Sequence, residues 1–294
     1  MNYWGEIAAL GTAICWSFSA VFFTIASRRV GALTINLFRL PLAIFLLLTT
    51  YLLSGGNFQI QTDALLYLAL SGVLGLAIGD TFLFYSMVLV GSRIAMLLLS
   101  LSPPITALLA FLMLGETLSL KEILGIGLTI FGVSWVVLEK NDAPHARRQD
   151  FLKGVMLGFL SAFTQSLNLI FAKKGLVMDV DALFGTLIRM VSAALILWPA
   201  SFLLRKIKNP IKMLKADLTA VKYLLSGVTM GPYLGVWLSL VAVKFTHTGI
   251  AATLMSIVPV TMIPISIRFE KERPTVRSVL GAVVTVIGIA FLFL

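Results

Sequence analysis

Runs of about twenty apolar residues recur ten times along this chain of 294 residues, at 5–27, 33–53, 64–89, 94–114, 120–138, 153–172, 182–204, 219–243, 248–268 and 275–293. Coiled as helices at about 1.5 Å per residue, such runs match the hydrocarbon thickness of a bilayer. Within a bilayer every backbone N–H and C=O must find its partner inside the segment or in a closed barrel, so runs of this length can only be helices. Hydrophobic residues make up 59% and charged residues only 12%, against roughly 25% charged in soluble globular domains. The expected fold class is therefore all-α integral membrane, with ten transmembrane helices.

A second feature fixes how the ten are organised. The stretch Ile94 to Gly132 recurs 156 residues later as Ile250 to Gly288, without gaps. Pro103 falls on Pro259, Glu116 on Glu272, Gly125 on Gly281 and Gly132 on Gly288. In so apolar a chain Leu or Ala matches arise by chance, whereas Pro, Glu and paired Gly at one offset mark a duplicated unit. Weaker matches extend the repeat forward: Arg39 answers Arg189, and Leu70-Ser71-Gly72-Val73 recurs as Leu225-Ser226-Gly227-Val228. The units are 1–139 and 153–294, joined by a polar linker at 140–152. Five spans per unit is an odd number, so the second unit enters the membrane inverted relative to the first. Inverted repeats place a site near the midplane, where one half can rock against the other.

The formal charge of +10 does not point to nucleic acid, because the cations sit between apolar runs and form no basic face with interleaved aromatics. They report topology instead. Arg28, Arg29, Arg93, Lys140, Arg147, Arg148, Lys153, Arg205, Lys206, Lys208, Lys212, Lys215, Lys222, Arg268, Lys271, Arg273 and Arg277 all fall on the face holding the connections after the odd-numbered spans, and the opposite face has only Lys121, Lys173, Lys174 and Lys244. The basic loops are expected in the cytoplasm, with both termini outside. Residues 1–27 lack the basic start of a secretory signal and carry Glu6, so the first helix is expected to remain. Cys15 lies inside the first span and has no partner for an internal disulfide.

Ionisable and polar groups inside spans are the candidates for chemistry, since each costs about 2.5–3.5 kcal/mol at the bilayer centre. Asp80 follows Gly75 and Gly79; it reads either as a proton or substrate-amine site or as a structural partner of Arg39. Arg39 and Arg189 lie roughly two turns into their spans and read as anchors, as inter-helix partners or as binders of a substrate carboxylate. Gln165 and Asn168, three apart, share one face of the sixth span, and Trp16 and Ser19 stand at the matching places of the first. Pro232 should kink or break the eighth span near its middle, with Tyr233 and Trp237 beside the break. Glu116 and Glu272 read as helix-junction groups, Pro103 and Pro259 as bends, and the remaining Lys and Arg as solvated loop charges. His145 and His247 have no His or Cys at metal-ligand spacing, and no phosphate loop is present, so neither a metal nor an ATPase is expected.

The segment Ser102-Pro103-Pro104 through Leu114-Gly115-Glu116 to Leu118-Ser119 resembles the EamA-type repeat of the drug/metabolite transporter superfamily. Val258-Pro259-Val260 through Glu272 to Thr275 resembles the same motif, and Cys15-Trp16-Ser17 and the two arginines fit its earlier helices. The second unit departs from the pattern, with Gln165 opposite Trp16 and Lys271 opposite Gly115. The resemblance implies a secondary transporter, not an enzyme, working by alternating access. The expected cargo is a small metabolite, an amino acid or an aromatic or amphipathic compound, and the expected direction is export across the cell (inner) membrane. The cavity is expected between the first, third, sixth and eighth helices, with the fifth and tenth peripheral. No cofactor is expected, although Asp80 leaves proton coupling open, and the state is monomer or homodimer. Lipid flippase, passive channel and integral membrane enzyme are the alternatives; the last would need an acidic or His cluster that the sequence lacks.

Overall fold

The computed structural model describes residues 3–114, 117–138, 148–203 and 210–293. Gly115 and Glu116, most of the 140–152 linker, and Lys140, Arg147, Arg205, Lys206 and Lys208 of the basic face lie outside the described residues. Among the described residues ten helices are long and apolar enough to cross a membrane: α1 Trp4–Val30, α2 Ala32–Leu53, α3 Thr62–Val90, α4 Ser92–Leu112, α5 Leu120–Val137, α6 Gln149–Leu176, α7 Ala182–Leu203, α8 Leu218–Ala242, α9 Ile250–Glu270 and α10 Val276–Phe293. Polar residues set several of their ends. Ser119 and Glu122 form a reciprocal capping box at the start of α5, Phe184 N donates to Asp181 Oδ1 at 2.9 Å before α7, and Ala220 N donates to Asp217 Oδ1 at 2.9 Å before α8. Each carboxylate or hydroxyl there takes an N–H that the helix itself cannot pair.

The repeat is written into the irregularities of the helices as well as their number. α4 consists of two helical pieces, Ser92–Leu99 and Ser102–Leu114, and the corresponding pieces of the second copy are Thr248–Met255 and Val258–Glu270. Pro103 and Pro259 stand near the start of the second piece in each, where a missing N–H costs nothing. α3 contains a π-helical segment, Val73–Gly79, and α8 contains one at Thr229–Gly235. All these bounds differ by the same 156 residues. The tetrapeptide Leu70–Val73 and its copy Leu225–Val228 lie one residue out of that register. Their glycines also meet different neighbours: Gly72 abuts the Arg189 backbone and Gly227 abuts the Phe23 ring. The break expected in α8 from Pro232 is present as the π segment, but it is not peculiar to α8, because α3 makes the same segment without a proline. The deformation belongs to the repeat.

Packing exchanges the halves. α1 lies against α8 and α9 of the second half, α6 lies against α3 and α4 of the first, and α2 packs on α7. α5 and α10 form an antiparallel pair at the edge, in contact through small residues: a Cβ on Gly125 would meet Gly288 O at 2.7 Å, and one on Gly132 would meet Thr285 Oγ1 at 2.5 Å. Backbones can approach so closely only where side chains are absent or short. The peripheral placement expected for α5 and α10 matches this arrangement. α2 and α7 pack on each other across the halves, and that was not anticipated.

The two faces of the bundle differ. Where the cations cluster, the end of α1 packs on the end of α3 and the start of α4, the end of α9 packs on the start of α4, and α2 packs on the end of α3. Two-fold symmetry would give the opposite face matching contacts of α6 with the end of α8 and the start of α9, of α4 with the start of α9, and of α7 with the end of α8. None of these is closely packed among the described residues. The two packed groups, α1 with α8 and α9 and α6 with α3 and α4, are shut against each other on the basic face and splayed on the other.

Candidate functional site

Five of the polar residues singled out in the sequence meet in one buried chain of hydrogen bonds. It begins on α2, where Arg39 Nη2 pairs with Asp80 Oδ2 of α3 and Arg39 Nε donates to Asn36 Oδ1 at 2.9 Å. Gln165 Nε2 of α6 donates to Asp80 Oδ1 at 2.8 Å, and Asn168 Nδ2 donates to Gln165 Oε1 at 2.8 Å. Asn168 Oδ1 in turn accepts from Ser71 Oγ at 2.6 Å and from Arg189 Nη2 of α7 at 3.0 Å. Arg39 and Asp80 are 8% and 6% exposed, so neither is a snorkelling surface charge. The Arg39 guanidinium is also covered by the Phe84 ring, 5.0 Å to the centroid, with Phe23 at 6.0 Å. Arg39 stands near the basic end of α2 and Arg189 near the opposite end of α7, so the chain of bonds crosses the middle of the bundle.

The π segment explains why the network is built here. A π turn breaks the i→i+4 ladder and leaves carbonyls to be satisfied from elsewhere. Leu76 O accepts from Asn36 Nδ2 at 3.2 Å, Gly75 O from Gln165 Nε2 at 3.4 Å, and Ala77 O from Thr81 Oγ1 at 2.5 Å. Thr81 Oγ1 also accepts from Asn36 Nδ2 at 2.8 Å. Glycines let the side chains reach: a Cβ on Gly75 would lie 2.6 Å from Asn168 Cγ, and one on Gly79 would lie 2.8 Å from Thr164 Oγ1. Asn36, Ser71 and Thr81 were missed in the sequence. The signal available was the three-residue spacing of Asn36 and Arg39 and the adjacency of Thr81 to Asp80.

The residues at α1 and α8 occupy the symmetry-related place with different chemistry. A Cβ on Gly231 would run into Ser19 Oγ, and one on Gly235 would meet Trp16 Nε1 at 2.6 Å. Ser19 and Trp16 thus sit on the second π segment as Asn168 and Gln165 sit on the first. Ser19 is buried and donates to Gly227 O at 2.8 Å. Tyr233 and Thr50 of α2 approach hydroxyl to hydroxyl at 3.2 Å, and the Tyr233 and Trp237 rings lie 6.0 Å apart. Trp237 is 50% exposed, so it stands outside this packed contact. These residues separate by exposure: Ser19 and Asp80 are buried, whereas Trp16, Gln165, Tyr233 and Arg189 retain partial access.

A second set of charges ties the halves together on the basic face. Arg28 at the end of α1 pairs with Glu270 of α9 at 2.9 Å, Arg93 at the start of α4 pairs with Glu272 at 2.7 Å, and Arg29 pairs with Asp217 at 2.7 Å. Ser92 Oγ donates to Glu270 and Arg93 Nη1 to Ser278 Oγ. Gly91, at φ +86°, turns the chain between α3 and α4 with Glu272 Oε1 against its Cα; this backbone conformation is essentially reserved for glycine. The expectation that these cations are solvated loop charges fails for Arg93, which is buried at 7% exposure, and Glu270 was overlooked although its side chain is 1% exposed. The hydrogen bond from Arg29 holds the Asp217 carboxyl below the usual carboxylate range. Glu272, expected at a helix junction, stands just after α9 and pairs with Arg93, and the expectation for Glu116 lies outside the described residues.

No group of three or more His, Cys, Asp or Glu suited to a metal occurs among the described residues. Residues 3–138 and 152–294 each match the EamA-like transporter family, in agreement with the two units marked by the helix irregularities. A crystal structure superposes with a TM-score of 0.67 over 98% of this chain and 97% of that one; at 14% identity the likeness shows shared fold alone. No sequence among curated proteins matches.

Proposed function

The chain belongs to the EamA-like transporter family, and from that premise we propose that it is a secondary transporter exporting a small amphipathic metabolite by alternating access between its two inverted halves. The observation that carries the reading is the unequal packing of the two faces, shut by ion pairs where the cations cluster and splayed opposite. Alternating access requires two arrangements of nearly the same contacts, and inverted halves supply the second by exchanging roles. With the basic face in the cytoplasm of the cell membrane, the conformation described opens outward. The cargo would lie between α2, α7 and the two π segments, beside Trp16, Gln165, Tyr233 and Arg189. Asp80 serves that site by holding Arg39 and Gln165 in place.

Comparison of metabolites in the media of cells with and without the protein identifies the cargo. Accumulation of that compound above its equilibrium level in proteoliposomes, driven by an imposed proton gradient, supports the reading; passive equilibration alone would indicate a channel. One observation favours a lipid flippase instead: an apolar groove of about 460 Å³ between α4, α5 and α6, lined by Leu98, Val133, Val137, Val155 and Phe159. Movement of a fluorescent lipid between leaflets, with no transport of soluble metabolites, would select that alternative.

A further inference from the structure

We propose that Arg189 binds a carboxylate of the cargo, which serves as the missing counter-charge of the second half; this rests on the transporter reading above. The polar network holds two guanidinium groups and one carboxylate. Asp80 gives one oxygen to Arg39 and the other to Gln165 and makes no hydrogen bond with Arg189, which feels it only as a nearby charge. Arg189 is left with a single neutral acceptor, Asn168 Oδ1 at 3.0 Å, and its Nε is buried without a partner. A guanidinium cannot shed its charge, and a buried charge is costly unless it is paired.

The repeat shows where a built-in partner would stand. In the register shared by the two π segments, Asp80 directly follows the first and Val236 directly follows the second. The first half therefore carries its own acid for Arg39, and the second half has valine where the acid for Arg189 belongs. α7 also packs on α2 and α3 and leaves the end of α8, so Arg189 lies on the splayed side, where a solute enters. The unmatched charge is single, which fits a monoanion; a phosphate dianion would need a second free cation. The free Nε edge of the guanidinium offers the planar fork that a carboxylate accepts. Trp16, Tyr233 and Trp237 provide aromatic surface for the rest of such a molecule.

The test uses the purified full-length protein and acid–amide pairs that keep shape and remove charge: phenylacetate against phenylacetamide, and indole-3-acetate against indole-3-acetamide. Thermal unfolding in detergent is followed while each compound is titrated. Stabilisation by the acids at concentrations at least about tenfold below those of their amides is expected, and Arg189→Gln should abolish the difference. Asn168→Asp places a fixed carboxylate where Asn168 Oδ1 already meets Arg189, at the loss of the bond that Asn168 Nδ2 gives Gln165; it should erase the preference for acids while the fold is kept, which a purely structural Arg189 would not produce. Equal effects of acid and amide, equal stabilisation by chloride, absence of stabilisation by any of the acids, or an acid preference surviving Asn168→Asp would each overturn the proposal. Proteoliposome transport that proceeds unchanged in Arg189→Gln would overturn it while leaving the transporter reading intact. Acid binding without any transport would overturn the transporter reading instead.

Discussion

Replacing Asp80 with Asn removes the one carboxylate of the central network at almost constant shape, and the structure sets the size of the effect. The Asn carbonyl can keep the bond that Gln165 Nε2 now makes to Asp80 Oδ1 at 2.8 Å. Its amide then faces the Arg39 guanidinium, donor against donor, where a charge pair stood. Arg39 is buried under Phe84 and Phe23 and has no route to water, so the variant carries an uncompensated buried cation. Breaking one side of such a pair costs about 3–5 kcal/mol, whereas replacing both members by neutral groups is often close to neutral. Asp80→Asn should therefore lose about 3–5 kcal/mol, and Arg39→Gln combined with Asp80→Asn should recover more than half of the loss. Reversible unfolding in mixed micelles, monitored by tryptophan fluorescence, measures both. An Asp80→Asn variant as stable as the parent, or a double variant worse than either single one, would refute the reasoning, because the pair would then not be the reason the acid is tolerated there.

Gly91→Ala should destabilise by about 1–3 kcal/mol, the usual cost of forcing a side chain into that conformation, and should loosen the ion pairs of Glu272; thermal unfolding checks it. Gly231→Val, whose added atoms would run into Ser19, should cost about 1–3 kcal/mol by overpacking and reduce transport more than it reduces expression, as vesicle uptake per folded protein would show. Asp217→Asn should lower the melting temperature near neutral pH. The parent holds Asp217 below the ordinary carboxylate range through Arg29, so that stabilisation is present above the ordinary carboxylate range and disappears as pH falls through the folded value. The gap between the two proteins should close toward acid pH.

The number of helices, the repeat and the inverted order were legible because hydrophobic run length and glycine, proline and glutamate spacing are local properties of the chain. Asp80, Arg39, Gln165, Asn168 and Arg189 were legible as costly groups, but not as one network. Which of them meet depends on α6 crossing to α3 and α7 crossing to α2, and no local spacing encodes that exchange. The ion pairs of the basic face escaped for the same reason. Arg28 and Arg93 read as solvated loop charges, Glu272 as a helix-junction group, and Glu270 drew no notice; only the packing of α1, α4 and α9 brings them together. The π segment of α3 had no proline to announce it, whereas Pro232 drew attention to its twin. The tetrapeptide at Leu70 and Leu225 misled because four small or apolar residues can match one position away from the true register.

The claim that the halves exchange access by opening and closing the basic face can be met most directly by locking that face. In a Cys15→Ser background, Arg93→Cys and Glu272→Cys place two thiols where the ion pair between the start of α4 and the end of α9 now sits at 2.7 Å. A short cleavable bifunctional thiol reagent joins them in proteoliposomes, and transport of the metabolite identified from the media is measured before joining, after joining and after reductive cleavage. The account predicts that joining stops transport and cleavage restores it. Undiminished transport with the two residues joined would contradict it.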